Sequence, residues 1–136
     1  MEINSGIDLI EVNRLKNTYK NFGNRFLTRI YDPVEIEQFN KRSKRAKHNF
    51  LAKNFAAKEA VSKVLGVGFS RGVRPKDIVV LRKYGPPEVE LKGEAKKLAL
   101  QKGIKKISVS LSDTDELAVA VAQAIINSRG LDLCWF

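Results

Sequence analysis

The stretch KKISVSLSDTDELAVAVAQAII, residues 105–126, decides how this chain is read. In its first half Ile107, Val109 and Leu111 alternate with Ser108, Ser110 and Ser112, the period of a half-buried strand. In its second half Leu117, Val119 and Val121 alternate with alanine. Alanine content alone would also suit a helix. The alternation, and the turn-forming SDTDE between the halves, favour a second strand paired with the first as a hairpin.

A long helix is expected from about residue 46 to 65, with Phe50, Ala57, Ala60, Val61, Val64 and Leu65 on one broad core face. Gly66 and Gly68 stop it. Residues 3–10, INSGIDLI, read as a short strand with Gly6 inside it. Ile3, Ile7 and Leu9 form its core side, so Asp8 faces away from them. Val12, Leu15, Tyr19 and Phe22 mark a helix over 11–22, ended by Gly23-Asn24. Phe26, Leu27 and Ile30 follow in a helical turn, and Asp32-Pro33 is a helix-start signal. Further on, DIVVLRK and EVEL read as strands around the turn YGPP, and residues 94–102 as a helix closed by Gly103. The class is α+β: a mostly antiparallel sheet packed against one long helix. With no linker or repeat, residues 1–128 are expected to form a single domain and 129–136 a C-terminal tail.

The chain has 136 residues and a net charge of +10, which points to an anionic partner: nucleic acid, phosphates, a membrane surface or an acidic protein. Cys134 is the only cysteine, so no disulfide can form within the chain, and a reducing, cytoplasmic compartment is expected. The N-terminus lacks the pattern of a signal peptide, and Leu117 to Ile126 is too short an apolar run to span a bilayer. One Cys and one His cannot make a Cys/His zinc site, so any metal would be a hard cation held by carboxylates.

The long helix carries charge where its pattern is otherwise apolar. At 100° per residue Glu59 lies nearly opposite the core face, with Ser62 and Gly66 close by and Lys63 one turn on. Wheel geometry by itself makes Glu59 and Lys63 a stabilising i, i+4 ion pair. The basic run NKRSKRAKH, residues 40–48, reads as a solvated loop or helix end, or as a phosphate-facing cluster.

Four elements in order resemble the holo-[acyl-carrier-protein] synthase family, the small trimeric type of 4′-phosphopantetheinyl transferase. They are GIDLIEVNRL (6–15), FLAKNFAAKEAVSKVLGVG (50–68), YGPPEVEL (84–91) and VSLSDTDELAVAVA (109–122). The resemblance covers roughly residues 4–126. It implies transfer of 4′-phosphopantetheine from coenzyme A to a serine of apo acyl carrier protein, with adenosine 3′,5′-bisphosphate as the other product. It implies Mg2+ held by Asp8 and Glu59, with Lys63 near the phosphates and Ser62 beside it. Gly66 would let backbone approach the ligand, and Pro86 and Pro87 would line the nucleotide site. Arg45 and Lys47 are candidates for the coenzyme A 3′-phosphate. Arg14, Arg25 and Arg29 would meet the acidic carrier, and the assembly would be a homotrimer with interfacial sites.

Two positions depart from the family pattern. Asn54 stands where many members have Arg, and Asp113 where many have His, which leaves a phosphate or carrier contact and a nucleotide contact to be supplied differently. His48 matches no catalytic position and reads as surface. The general base stays open between Asp113, Glu59 and a metal-bound water. A nucleic-acid-binding module is the competing reading, as is a basic docking protein without chemistry. The first would need stacking aromatics among its basic residues, whereas Phe22, Phe26, Phe39 and Phe50 lie on apolar stripes. The second is opposed by the presence of both Asp8 and Glu59. No nucleic-acid or membrane partner is therefore expected.

Overall fold

The structure, a computed structural model, describes residues 1–127, so the tail expected at 129–136 lies outside the described residues. The elements are β1 (Glu2–Glu11), α1 (Val12–Phe22), α2 (Asn24–Ile30), α3 (Pro33–Asn40) and α4 (Lys44–Leu65), then β2 (Ile78–Leu81), β3 (Glu88–Leu91), α5 (Gly93–Gln101), β4 (Ile104–Asp113) and β5 (Leu117–Ile126). One five-stranded sheet runs in the order β1-β5-β4-β3-β2, every pairing antiparallel. The fold is α+β, and residues 104–126 form the expected hairpin.

The long helix α4 lies across β1 and β5 on one side and against α1 and β2 on the other. That double burial explains why its core face is wider than one stripe. Leu51, Ala52, Ala56, Lys58 and Ser62 are buried together with the expected apolar residues. Small residues set how close helix and sheet come. Ala118, Ala120, Ala122 and Ala124 present one fully buried row, and Gly6 of β1 sits beside Ala122. A Cβ on Gly6 would fall 2.2 Å from the Ala60 carbonyl oxygen, so only glycine permits the β1–α4 approach.

This close approach inverts the expected orientation of β1. Ile3, Ile7 and Leu9 are 67%, 60% and 62% exposed, while Gly6 and Ile10 are buried against the helix. Alternation fixes which residues share a face, but the small residue chooses the face that meets α4. Asp8 therefore points toward the helix rather than away from the core.

Helix boundaries follow their caps. Asp32 accepts from the Val34 N–H at 2.9 Å, and the Glu35 carboxylate accepts from the Asp32 N–H at 3.0 Å, a complete capping box before Pro33. Ser43 caps α4, so that helix takes up most of the basic run. Gly66 ends it in the left-handed region at φ 84°. Phe39 and Phe50 join the core and Phe26 packs at its edge, but Phe22 is 56% exposed, unlike its expected place on the α1 stripe.

Candidate active site at the β1–α4 seam

Asp8 and Glu59 are brought together by the tight contact that Gly6 allows. Asp8 sits opposite Ala120 in the β1–β5 ladder, on the face that meets α4. Glu59 is half-buried on α4, not on an open outer face. Burial first, and then the Asp8 carboxylate, push the Glu59 carboxyl up from its ordinary value, while Lys63 and Arg14 hold it down. A carboxylate whose ionisation is made costlier by a second carboxylate beside it favours a shared cation. Their hard oxygens, open to waters and substrate phosphates, suit Mg2+. Among the described residues no cluster of three or more His, Cys, Asp or Glu could hold a metal.

Lys63 does not close the i, i+4 pair that its spacing offers. Its ammonium crosses to β1, donating to the Ile7 carbonyl at 2.7 Å and to Asp8 Oδ1 at 3.4 Å. Half of that side chain stays exposed, so the amine borders the open side of the seam. The Ser62 hydroxyl is engaged within the helix. The residue is fully buried, and its hydroxyl donates to the Glu59 carbonyl at 2.6 Å, because position 62 faces inward on a helix covered from two sides. Gly66 serves first as the helix stop, its N–H donating to the Lys63 carbonyl at 3.0 Å.

The other expected site residues fall into separate places. Arg45 and Asp113 line a cavity of about 300 Å³ near the start of α4, with Arg42, Asn49, Lys53 and Arg82. Asp113 accepts from Asn49 Nδ2 at 2.7 Å and pairs with Lys53 at 3.4 Å. Lys47 is not in that cavity; its ammonium lies 4.9 Å above the Phe39 ring. Pro86 and Pro87 line a different cavity of about 580 Å³, between β3 and β4. It opens because those strands pair only at Glu88 and Ser108. Arg14, Arg25 and Arg29 are exposed on α1 and α2. His48, expected at the surface, is half-buried beside Tyr19, and burial followed by Lys16 and Lys47 lowers its pKa.

Sequence reading missed the support beneath the seam. Lys58, next to Glu59, is fully buried and donates to Glu35 Oε1 at 2.6 Å and to the carbonyls of Ile78 and Pro75 at 2.6 and 3.0 Å. Asn54, also fully buried, donates to Glu35 Oε2 at 3.0 Å and accepts from Arg82 Nη2 at 2.6 Å. The Asn54 departure is thus part of a buried polar network joining α3, α4 and β2. The signal for Lys58 was its spacing: it stands three and seven residues before Val61 and Leu65, on their stripe.

A strand acid, a helix acid and a flanking amine thus meet at one seam of this antiparallel α+β scaffold, a set of groups that could take a phosphate-bearing substrate. The sequence profile of the 4′-phosphopantetheinyl transferase superfamily matches residues 4–122, and the chain belongs to that family. A holo-[acyl-carrier-protein] synthase of Caldanaerobacter subterraneus is 45% identical over 126 residues, spanning 92% of this chain and 96% of the relative. One from Vibrio cholerae is 39% identical over 130 residues, 95% and 100% of the two chains. Among solved structures, the Neisseria meningitidis synthase superposes with a TM-score of 0.80 at 34% identity, covering 89% of this chain and 96% of that one. The Helicobacter pylori synthase in complex with coenzyme A gives 0.78 at 29% identity, covering 90% and 100%.

Proposed function

We propose that this protein transfers 4′-phosphopantetheine from coenzyme A to a serine of apo acyl carrier protein. The observation that carries this is the Asp8–Glu59 pair held across the β1–α4 seam beside Lys63, in a chain of this family. In the reaction the serine oxygen bonds to the β-phosphorus. The bond from that phosphorus to the bridging oxygen breaks, and adenosine 3′,5′-bisphosphate leaves as the serine proton is removed. Such a displacement needs charge neutralised on the phosphate oxygens and a nucleophile held in line.

Asp8 and Glu59 would hold Mg2+, which when bound neutralises charge on the pyrophosphate oxygens. Lys63, already directed to the same edge of β1, stabilises charge on the departing phosphate. The Lys58–Glu35 pair keeps the Glu59 turn of α4 in place against β2 and α3. The exposed Arg14 stands close enough to act on the Glu59 charge, so a carrier docked on Arg14, Arg25 and Arg29 would bring its serine to the seam. An acidic carrier meeting a chain of net charge +10 gains association rate from that field.

A homotrimer is the assembly this reading takes. Ile3 pairs with Ile125, Ile7 with Val121 and Leu9 with Val119, so the sheet's outer face carries a contiguous apolar patch. Patches of that kind mark interfaces. A site completed between copies accounts for Pro86 and Pro87 lying in a cavity separate from Arg45 and Asp113 within one copy. The cytoplasm is the compartment proposed, on the single cysteine; no helix among the described residues is long and apolar enough to cross a membrane.

Mass spectrometry of apo acyl carrier protein incubated with the protein, coenzyme A and Mg2+ tests the reaction. A phosphopantetheine mass gain that EDTA abolishes is expected. No gain from folded protein with several carriers would reject it.

A further inference from the structure

Gly66, which ends α4, is covered on its side-chain side by one residue: a Cβ built there would fall 2.8 Å from Lys102 Nζ and 4.0 Å from Lys102 Cε. Lys102 stands at the end of α5, where its backbone N–H donates to the Leu98 carbonyl at 3.0 Å. From there its side chain reaches across to the last turn of α4. The carbonyl end of a helix attracts an amine. Yet the exposed Lys102 ammonium makes no hydrogen bond or ion pair among the described residues. Its three N–H donors are open to a ligand.

The place of Gly66 on the helix gives that ammonium a direction. Gly66 follows Glu59 by seven residues, nearly two turns, so it lies on the same stripe of α4 about 10 Å further along the axis. Lys63 stands between them, its amine turned to the Ile7 carbonyl and Asp8. The stripe therefore runs from the carboxylate pair, past Lys63, to the Lys102 ammonium. The missing side chain at Gly66 leaves room for a ligand beside the helix backbone, and a ligand entering that room meets Lys102 first.

On the transfer reading, the nucleotide lies toward the basic residues Arg45 and Lys53 at the start of α4, so the pantetheine arm leaves the transferred phosphate toward the other end of the helix. The arm is uncharged, but it carries two amide carbonyls, which are strong acceptors. In an extended arm, at about 1.2 Å per bond, these lie roughly 6 and 11 Å from the β-phosphorus. The farther of them matches the distance along α4 from Glu59 to Gly66. Resting on the transfer reading above, we infer that Lys102 donates to an amide carbonyl of the pantetheine arm and holds that arm along the end of α4. Lys102 thereby favours coenzyme A over a nucleotide that has the phosphates without the arm.

The test is calorimetric binding, with Mg2+, of coenzyme A and of adenosine 3′-phosphate 5′-diphosphate, which keeps every phosphate but lacks the arm. The full chain is used as wild type, Lys102→Met and Lys102→Arg. Lys102→Met should weaken coenzyme A by about 5- to 10-fold, the effect of one charge-assisted hydrogen bond at an exposed group, and leave the armless nucleotide unchanged. Lys102→Arg keeps the charge and the donors and should stay within about twofold of wild type for both ligands. Because Lys102 is exposed, both variants should keep the fold, which circular dichroism checks. Unchanged coenzyme A binding by folded Lys102→Met overturns the assignment, and so does a lowered melting temperature with an unmoved ratio of the two affinities, the mark of a purely structural role at the α4 end. An equal loss for both ligands also overturns it, because it puts the ammonium on a phosphate. Each of these results leaves the transfer reading standing. Failure of folded wild type to bind either ligand overturns both.

Discussion

Replacing Gly6 by alanine should damage stability and chemistry through a single contact. The added Cβ would lie 2.2 Å from the Ala60 carbonyl oxygen and 3.2 Å from Lys63 Cβ. The first of these is backbone inside a helix and cannot rotate away. Regaining an ordinary contact of at least 3.4 Å requires β1 and α4 to part by about 1 Å. Overpacking of this kind costs about 1–3 kcal/mol. For a chain of this length that lowers Tm by roughly 4–12 °C at fixed protein concentration. Asp8 lies two residues from Gly6 on the same face, so the same shift draws it from Glu59 and Lys63. A misplacement near 1 Å at a reacting centre costs about 100-fold in rate. Thermal melting followed by circular dichroism gives the first effect. Carrier modification by mass spectrometry, at a temperature where the variant is fully folded, gives the second. A melting temperature within about 1 °C of wild type, together with a transfer rate within about twofold of it, would refute the claim that this glycine sets the seam.

Asp8→Asn and Glu59→Gln should each lower transfer by at least about 100-fold without lowering the melting temperature, since each relieves a like-charge contact; a folded variant with wild-type turnover would remove that residue from the site. Because the Glu59 carboxyl is raised above its usual range, it takes up a proton at higher pH than an ordinary glutamate, and the protonated form is the poorer metal ligand. Mg2+ affinity measured by calorimetry should therefore fall as pH drops through that raised value, and a flat profile would contradict the assignment. Lys58→Met should cost about 3–5 kcal/mol in urea unfolding by stranding Glu35, and adding Glu35→Leu should recover much of it; a single variant as stable as wild type would deny the pair its structural role. Arg14→Ala should raise the KM for carrier protein more than that for coenzyme A, and equal changes would argue against docking there.

Local patterning was enough for the elements and for the pairing of residues 104–126. The period of two marked β4 and β5, the Asp32-Pro33 cap marked the start of α3, and Gly66 marked the end of α4, because each signal acts within a few residues. The acids at 8 and 59 were singled out only through the family resemblance, since wheel geometry by itself favours a structural ion pair for Glu59. The inward face of β1 was not legible. Ile3, Ile7 and Leu9 form the more apolar face, yet the helix chose the face of Gly6, where backbone could come within reach of backbone. Lys58, Asn54 and Arg82 belong to the same class. Glu35 and Arg82 lie 23 and 28 residues from their partners on α4, and only the packing of α3 and β2 on that helix brings them into one network. The sequence alone determined the strands, the helices and their ends, because those depend on neighbours along the chain. The tertiary structure decided which faces meet and which charges are buried together, because those depend on how closely α4 can approach its neighbours.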